Sequence, residues 1–151
     1  MHGHDNEAKE SVARFLQKLG LEPIILHEQA SGGRTVIEKF ETYSRGVVFA
    51  VVLLTPDDIG GVASEPAGFK SRARQNVIME LGYFIGRLGR MRVCALHRGS
   101  VELPSDYQGV IYVEMDHAGA WRTKLAQELV QSKVPIELTG LLETLSGRGH
   151  E

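Results

Sequence analysis

Glu80 is the residue whose type and setting most invite chemistry, because it is the one carboxylate in the run Arg72–Leu88, RARQNVIMELGYFIGRL. Val77, Ile78, Leu81, Phe84, Ile85 and Leu88 recur at helical spacing and form one apolar face. Glu80 falls about 100° round from the middle of that stripe on an ideal wheel, with Asn76, Tyr83 and Arg87 on the same flank. At such a border an acid is partly desolvated and still within reach of a ligand. Taken alone, a helical glutamate is most simply a solvated charge. No histidine, serine or cysteine partner is evident for it, which argues against acyl transfer. One reaction needs only one carboxylate, the cleavage of an N-glycosidic bond to a cationic base. An ordinary glycosidase needs a second acid to protonate the leaving oxygen. A pyridinium departs as a neutral molecule, so the protein has only to hold the ribose and stabilise an oxocarbenium-like centre.

Other groups are candidates for binding. Arg72 and Arg74 are expected in the first turn of this helix, where the dipole disfavours cations, so an anion such as a phosphate would fit between them. Paired surface arginines explain the pattern equally well. His2 and His4 in His2-Gly3-His4-Asp5 hint at a metal, but no further ligands follow at a characteristic spacing, and none is expected. Asp57-Asp58 after Pro56 reads most simply as a turn, with contact to a ligand as the alternative. Gly32-Gly33-Arg34-Thr35 is glycine-rich but lacks the phosphate-loop pattern. Cys94 lies in an apolar run and reads as a buried structural thiol.

The elements that must position these groups alternate. Asp5 or Asn6 caps a helix burying Ala8, Val12, Phe15, Leu16 and Leu19, and Gly20 stops it. Pro23–His27 reads as a short strand. Thr35-Val36-Ile37-Glu38 has the form of a capping box, opening a helix from Val36 to about Ser44 that buries Ile37, Phe40 and Tyr43. Val47–Leu54 is eight apolar residues without alternation, a strand covered on both faces. Thr55–Ser71 reads as a loop, with Ser71 capping the central helix and Gly89 ending it. Arg92–His97 and Val110–Val113 read as strands, with a loop at Arg98–Gly109 that holds one turn near Leu103–Tyr107. Ala118–Ser132 reads as a helix burying Trp121, Leu125 and Leu129. Residues 1–133 form the domain, and 134–151 a C-terminal tail, weakly apolar to Leu145 and frayed beyond.

This alternation predicts an α/β fold, a parallel sheet between two layers of helices. Ligands in such sheets bind beyond the carboxyl ends of the strands, which selects His2–Asp5, Glu28–Arg34, Thr55–Ser71 and Arg98–Gly109. The count of strands is one short, because a doubly wound domain opens with a strand and this chain opens at the loop after it. In the flavodoxin-like order 2-1-3-4-5 that strand is central. Either Met1 is an internal start, the favoured expectation, or the domain closes the gap in another way.

Composition sets outer bounds. The chain has 151 residues, a net charge of −2, 42% apolar and 24% charged residues, which fits one soluble domain and gives no reason to expect nucleic-acid or membrane binding. One cysteine excludes an internal disulfide and fits a reducing cytosol. The longest apolar run is too short to span a bilayer, and the polar start has no signal-peptide character.

In order along the chain, HGHDNEAKESVARFLQKLGLEPIILHEQ, GRTVIEKFE, VVFAVVLLTPDDIGG, RARQNVIMELGYFIGRLGR and RVCAL…VELPSD…GVIYVEMD…W resemble the bacterial TIR-like predicted nucleotide-binding domains. These are similar to the TIR effectors of CD-NTase and STING antiphage systems. The resemblance covers His2 to about Leu129 and implies a flavodoxin-like TIR fold, here lacking its first strand. It implies hydrolysis of NAD, as substrate and not as cofactor, to nicotinamide and an ADP-ribose product in the cytoplasm. The N-V-I-x-E-L-G motif then carries the catalytic glutamate onto Glu80. The same carry-over places His2, Gly3, His4, Asp5, Arg34, Thr35, Arg74 and Asn76 around the NAD. It also implies self-association, for which Gln75, Met79, Gly82 and Gly86 on the outer face of the central helix are candidates. A sensor domain, which such effectors normally use to trigger assembly, is not seen in the sequence. The alternatives are a non-catalytic nucleotide-binding or scaffolding module and a nucleoside deoxyribosyltransferase-like enzyme.

Overall fold

The computed structural model describes residues 1–29, 32–105 and 109–146, apart from the side chains of 144 and 145. Its centre is a parallel sheet of β1 (Ala50–Leu54), β4 (Val93–His97) and β5 (Ile111–Glu114), in the order β1-β4-β5. Successive side chains on a strand point to opposite faces, and both faces here are apolar. Leu53, Cys94, Leu96 and Val113 face α1 (Asn6–Lys18) and α4 (Trp121–Gln131), packing on Phe15, Leu19, Trp121, Leu125 and Leu129. Val52, Leu54, Val93 and Ala95 face α2 (Val36–Tyr43) and α3 (Gln75–Leu88), packing on Phe40, Val77, Leu81 and Phe84. The result is a three-layer α/β fold with a parallel sheet between two layers of helices.

The local signals at the helix ends hold. Asp5 caps α1 through the Ala8 N–H at 2.9 Å. Thr35 and Glu38 make both halves of the capping box that opens α2. Gly89, at φ +82°, ends α3. Cys94 is buried, and burial pushes its thiol up to about 12, so it is a packing residue.

Four expectations are corrected. Pro23–His27 is not a strand; the chain there is irregular until a single 3-10 turn at Leu26–Glu28. Its apolar run has no partner, because among the described residues no strand lies on the outer edge of β1. Met1 alone takes that place: its N–H3⁺ donates to Val51 O at 3.1 Å, and Leu53 N–H donates to Met1 O at 2.9 Å. These two bonds are one rung of a parallel ladder opposite Val52. An apolar cavity of about 270 Å³ runs beside this edge, lined by residues including Leu21, Ile25, Phe49 and Val51.

Thr55–Ser71 is not irregular throughout, because β2 (Asp58–Gly60) and β3 (Lys70–Arg72) pair as an antiparallel hairpin. That pairing takes Ser71 and Arg72 out of the central helix, which starts three residues later than its periodicity suggests, with Arg74 at the N-cap and no side-chain cap bond. Ile37 is exposed, since the short α2 turns only Phe40 fully into the core. Finally, the residues read as a tail contain α5 (Leu138–Ser146), and Val134 is buried in the α1/α4 core. The turn expected near Leu103–Tyr107 falls partly, and the fraying beyond Leu145 mostly, outside the described residues.

Candidate active site

Glu80 sits in the second turn of α3 and is 2% exposed. Periodicity puts it at the border of core and solvent, and the structure buries it because other segments cover that flank. His27, from the 3-10 turn, brings Nε2 to 3.2 Å from Glu80 Oε1. Glu80 Oε2 is buried and has no hydrogen-bond partner among the described residues. Burial pushes this carboxyl up to about 7, against the pull of the Met1 ammonium and, more weakly, Lys39. The Met1 ammonium is itself buried, which lowers its pKa, while Glu80 opposes that shift. Burial also lowers His27, and the neighbouring His2 adds to this. Burial thus favours the protonated form of Glu80 and the neutral form of His27 beside it.

The His2–Asp5 loop runs from this cluster to the start of α1. His2 is buried, with Nδ1 2.8 Å from Gly3 O and its ring 5.1 Å from that of His27. Nδ1–H is the donor in that bond, so the neutral ring carries its lone pair on Nε2, which is buried and unpartnered. A Cβ on Gly3 would overlap the Asp57 carboxylate, so any other residue here must displace that side chain. Asp57 Oδ1 accepts the His4 N–H at 3.3 Å, and Oδ2 accepts the Thr55 hydroxyl at 2.6 Å. Arg74 donates to His4 Nε2 at 2.7 Å, which fixes the His4 proton on Nδ1. Asp5 also accepts from Arg98 at 2.9 Å, and the same guanidinium reaches Glu7 at 3.2 Å. Arg98 follows β4 directly, so the loop is tied to the carboxyl end of the sheet.

The structure thus gathers His2, Gly3, His4, Asp5 and Arg74 into one connected set, which His2 joins through His27 to Glu80. It does not gather the rest. Arg34 and Thr35 are exposed, and Thr35 is bonded to Glu38 through both its backbone N–H and its hydroxyl. Asn76 is exposed in the first turn of α3. Arg72 leaves the expected anion site, because it lies in β3 with its guanidinium over Gly60. Two site residues are not evident from sequence, His27 and Arg98, while Asp57, read most simply as a turn residue, accepts from the His2–Asp5 loop. Asp57 and Arg98 sit in the loops after β1 and β4, where position alone marks them as candidates. His27 carries no such mark. Among the described residues no group of three metal-binding side chains converges, and no helix is long and apolar enough to cross a membrane.

Residues 1–117 match the family model described as the TIR domain of CAP12/Pycsar effector proteins. The chain belongs to this TIR-domain family. It is 54% identical over 138 residues to the protein YuaY of Escherichia coli (strain K12), covering 91% of this chain and 46% of that one. It is 35% identical over 122 residues to the protein tirC of Dictyostelium discoideum, covering 75% of this chain and 61% of that one. A third relative is the Pycsar effector protein PaPycTIR of Pseudomonas aeruginosa, 40% identical over 89 residues, which are 58% of this chain and 26% of that one. This TIR domain therefore spans less than two thirds of the length of each of these relatives. Glu80, His27 and the His2–Asp5 loop all lie inside the span matched to the family model.

Proposed function

We propose that this TIR domain hydrolyses NAD at the bond between nicotinamide and ribose, with Glu80 as the catalytic carboxylate. The observation that carries this reading is the Glu80 carboxyl itself: buried, with His27 3.2 Å from one oxygen and, among the described residues, no partner for the other. As the C1′–N bond breaks, nicotinamide takes the bonding electrons and leaves neutral. The positive charge then rests on the ribose ring, where an anion in a dry setting stabilises it far more than one in water. Water adds at C1′ and loses its proton, so NAD⁺ and water give nicotinamide, ADP-ribose and H⁺. Arg74 and the loop His2–Asp5 are the groups we assign to the ligand, together with Arg34, Thr35 and Asn76 on the strength of the family motif. We further propose that the domain serves as an antiphage effector in the cytoplasm. In this reading it is switched on by self-association, through the exposed Gln75, Met79 and Gly86 of α3.

A second reading is a TIR module that binds nucleotide or scaffolds other proteins without cleavage. It is favoured by the depth of Glu80, since a 2% exposed carboxyl cannot touch a ribose without a rearrangement of its cover. One assay separates the two. The concentrated protein is incubated with NAD and nicotinamide is followed; release that falls by about 100-fold or more in Glu80→Gln, with NAD binding retained, supports catalysis. Release that persists in Glu80→Gln overturns the assignment, and absence of release in the parent leaves the second reading.

A further inference from the structure

We propose that His27 is a positioning residue for Glu80: its Nε2–H holds Oε1 and leaves Oε2 to the reacting ribose once the rest of the cover over Glu80 moves aside. The inference rests on the hydrolase reading above. Three observations carry it.

The contact is specific, because His27 Nε2 and Glu80 Oε1 are 3.2 Å apart, while Oε2 has no partner among the described residues. A buried carboxylate oxygen left unbonded is costly, and such an orphan calls for an explanation that packing alone does not supply. Second, the two side chains differ sharply in exposure, 45% for His27 and 2% for Glu80. The imidazole therefore stands on the solvent side of the carboxyl. Third, His27 is itself braced, with the His2 ring 5.1 Å away and the Lys9–Glu28 ion pair beside it in sequence. The 3-10 turn Leu26–Glu28 that carries it is anchored by buried Leu26 in the α2/α3 core. A half-exposed histidine fixed in this way holds one oxygen of the acid and leaves the other to the substrate.

The charged groups around the pair set the direction of the effect. Glu80 is faced by the Met1 ammonium, by Lys39 of α2 and by His27. His27 is faced by His2, the Met1 ammonium, Lys39 and Lys9. Among these, His27 is the one the described structure places within ion-pair distance of a Glu80 oxygen. Removing that donor while keeping the cover should disfavour the carboxylate.

His27→Leu keeps the cover and loses the donor; His27→Gln keeps an N–H near the same place. With NAD as substrate, His27→Leu is expected to move the acid limb of the kcat profile up by about one pH unit, which lowers kcat at pH 7 by about fivefold. KM stays within about twofold, and His27→Gln restores most of the loss. An unmoved acid limb in His27→Leu overturns the proposal, as does His27→Gln as impaired as His27→Leu, which would mean that ring shape and not the donor matters. The carboxyl resonance of Glu80 in ¹³C-glutamate-labelled protein gives a readout that does not need turnover. A titration midpoint raised in His27→Leu and restored in His27→Gln supports the contact even if nicotinamide release proves independent of Glu80, and an unmoved midpoint overturns it.

Discussion

A raised carboxyl pKa makes Glu80 a liability for folding as well as a candidate catalyst. In the unfolded chain it titrates near 4.5, and in the folded protein at about 7. Between those values the folded state binds the extra proton, so this residue's contribution to stability falls as pH rises and is constant again above 7. Glu80→Gln stays neutral throughout. Its stability relative to the parent should therefore rise between pH 5 and pH 8, by about 2 kcal/mol, as measured by urea unfolding at each pH. A difference that does not change with pH would contradict the burial and charge environment described for Glu80. The apolar stripe of α3, and Glu80 at its edge, are legible from spacing alone. The burial is not, because Met1 and His27 are brought over that flank by tertiary structure, and periodicity within one helix holds no information about them.

Elements defined by local chemistry are the most readable part of the chain. Thr35 and Glu38 lie three residues apart, and their reciprocal bonds depend on nothing outside the first turn of α2. Thr35→Ala should accordingly cost about 1 kcal/mol in denaturant unfolding, and Thr35→Ser much less; equal values for the two would show that the hydroxyl is not the source of the effect. The elements that mislead are those whose state depends on a partner. Pro23–His27 has strand composition and no strand beside it, whereas Lys70–Arg72, read as loop and helix start, becomes β3 because β2 offers a ladder. Strand formation is a property of pairs. The start of α3 moved for that reason, and the proposed pairing of Arg72 with Arg74 moved with it.

Across the whole molecule, the sheet divides the core into two, and each half recruits helices from distant parts of the chain. The alternation that does this is masked in the sequence, since Val47–Leu54 is apolar at every position and shows only that both faces are covered. The C-terminal residues belong to the α1/α4 half: Glu137 N–H donates to Leu19 O at 2.9 Å, and a Cβ on Gly140 would overlap the carbonyl of Lys18. Gly140→Ala must push α5 away from α1 and should destabilise the protein by about 1–3 kcal/mol. Circular dichroism through a thermal ramp tests this, and an unchanged melt would mean that α5 contributes nothing to the fold. Short amphipathic stretches such as 134–146 are hard to read because so few apolar residues establish a period.

Asp5 answers to two elements at once. One oxygen of its carboxylate caps α1 through the Ala8 N–H, and the other accepts from Arg98, the residue after β4. The start of a helix and the carboxyl end of a strand, 93 positions apart in sequence, are thereby pinned by one side chain. A strain applied to either is delivered to the other. Asparagine in this place would still cap the helix but turn an amide N–H2 toward the guanidinium, and so would separate two duties that aspartate performs together.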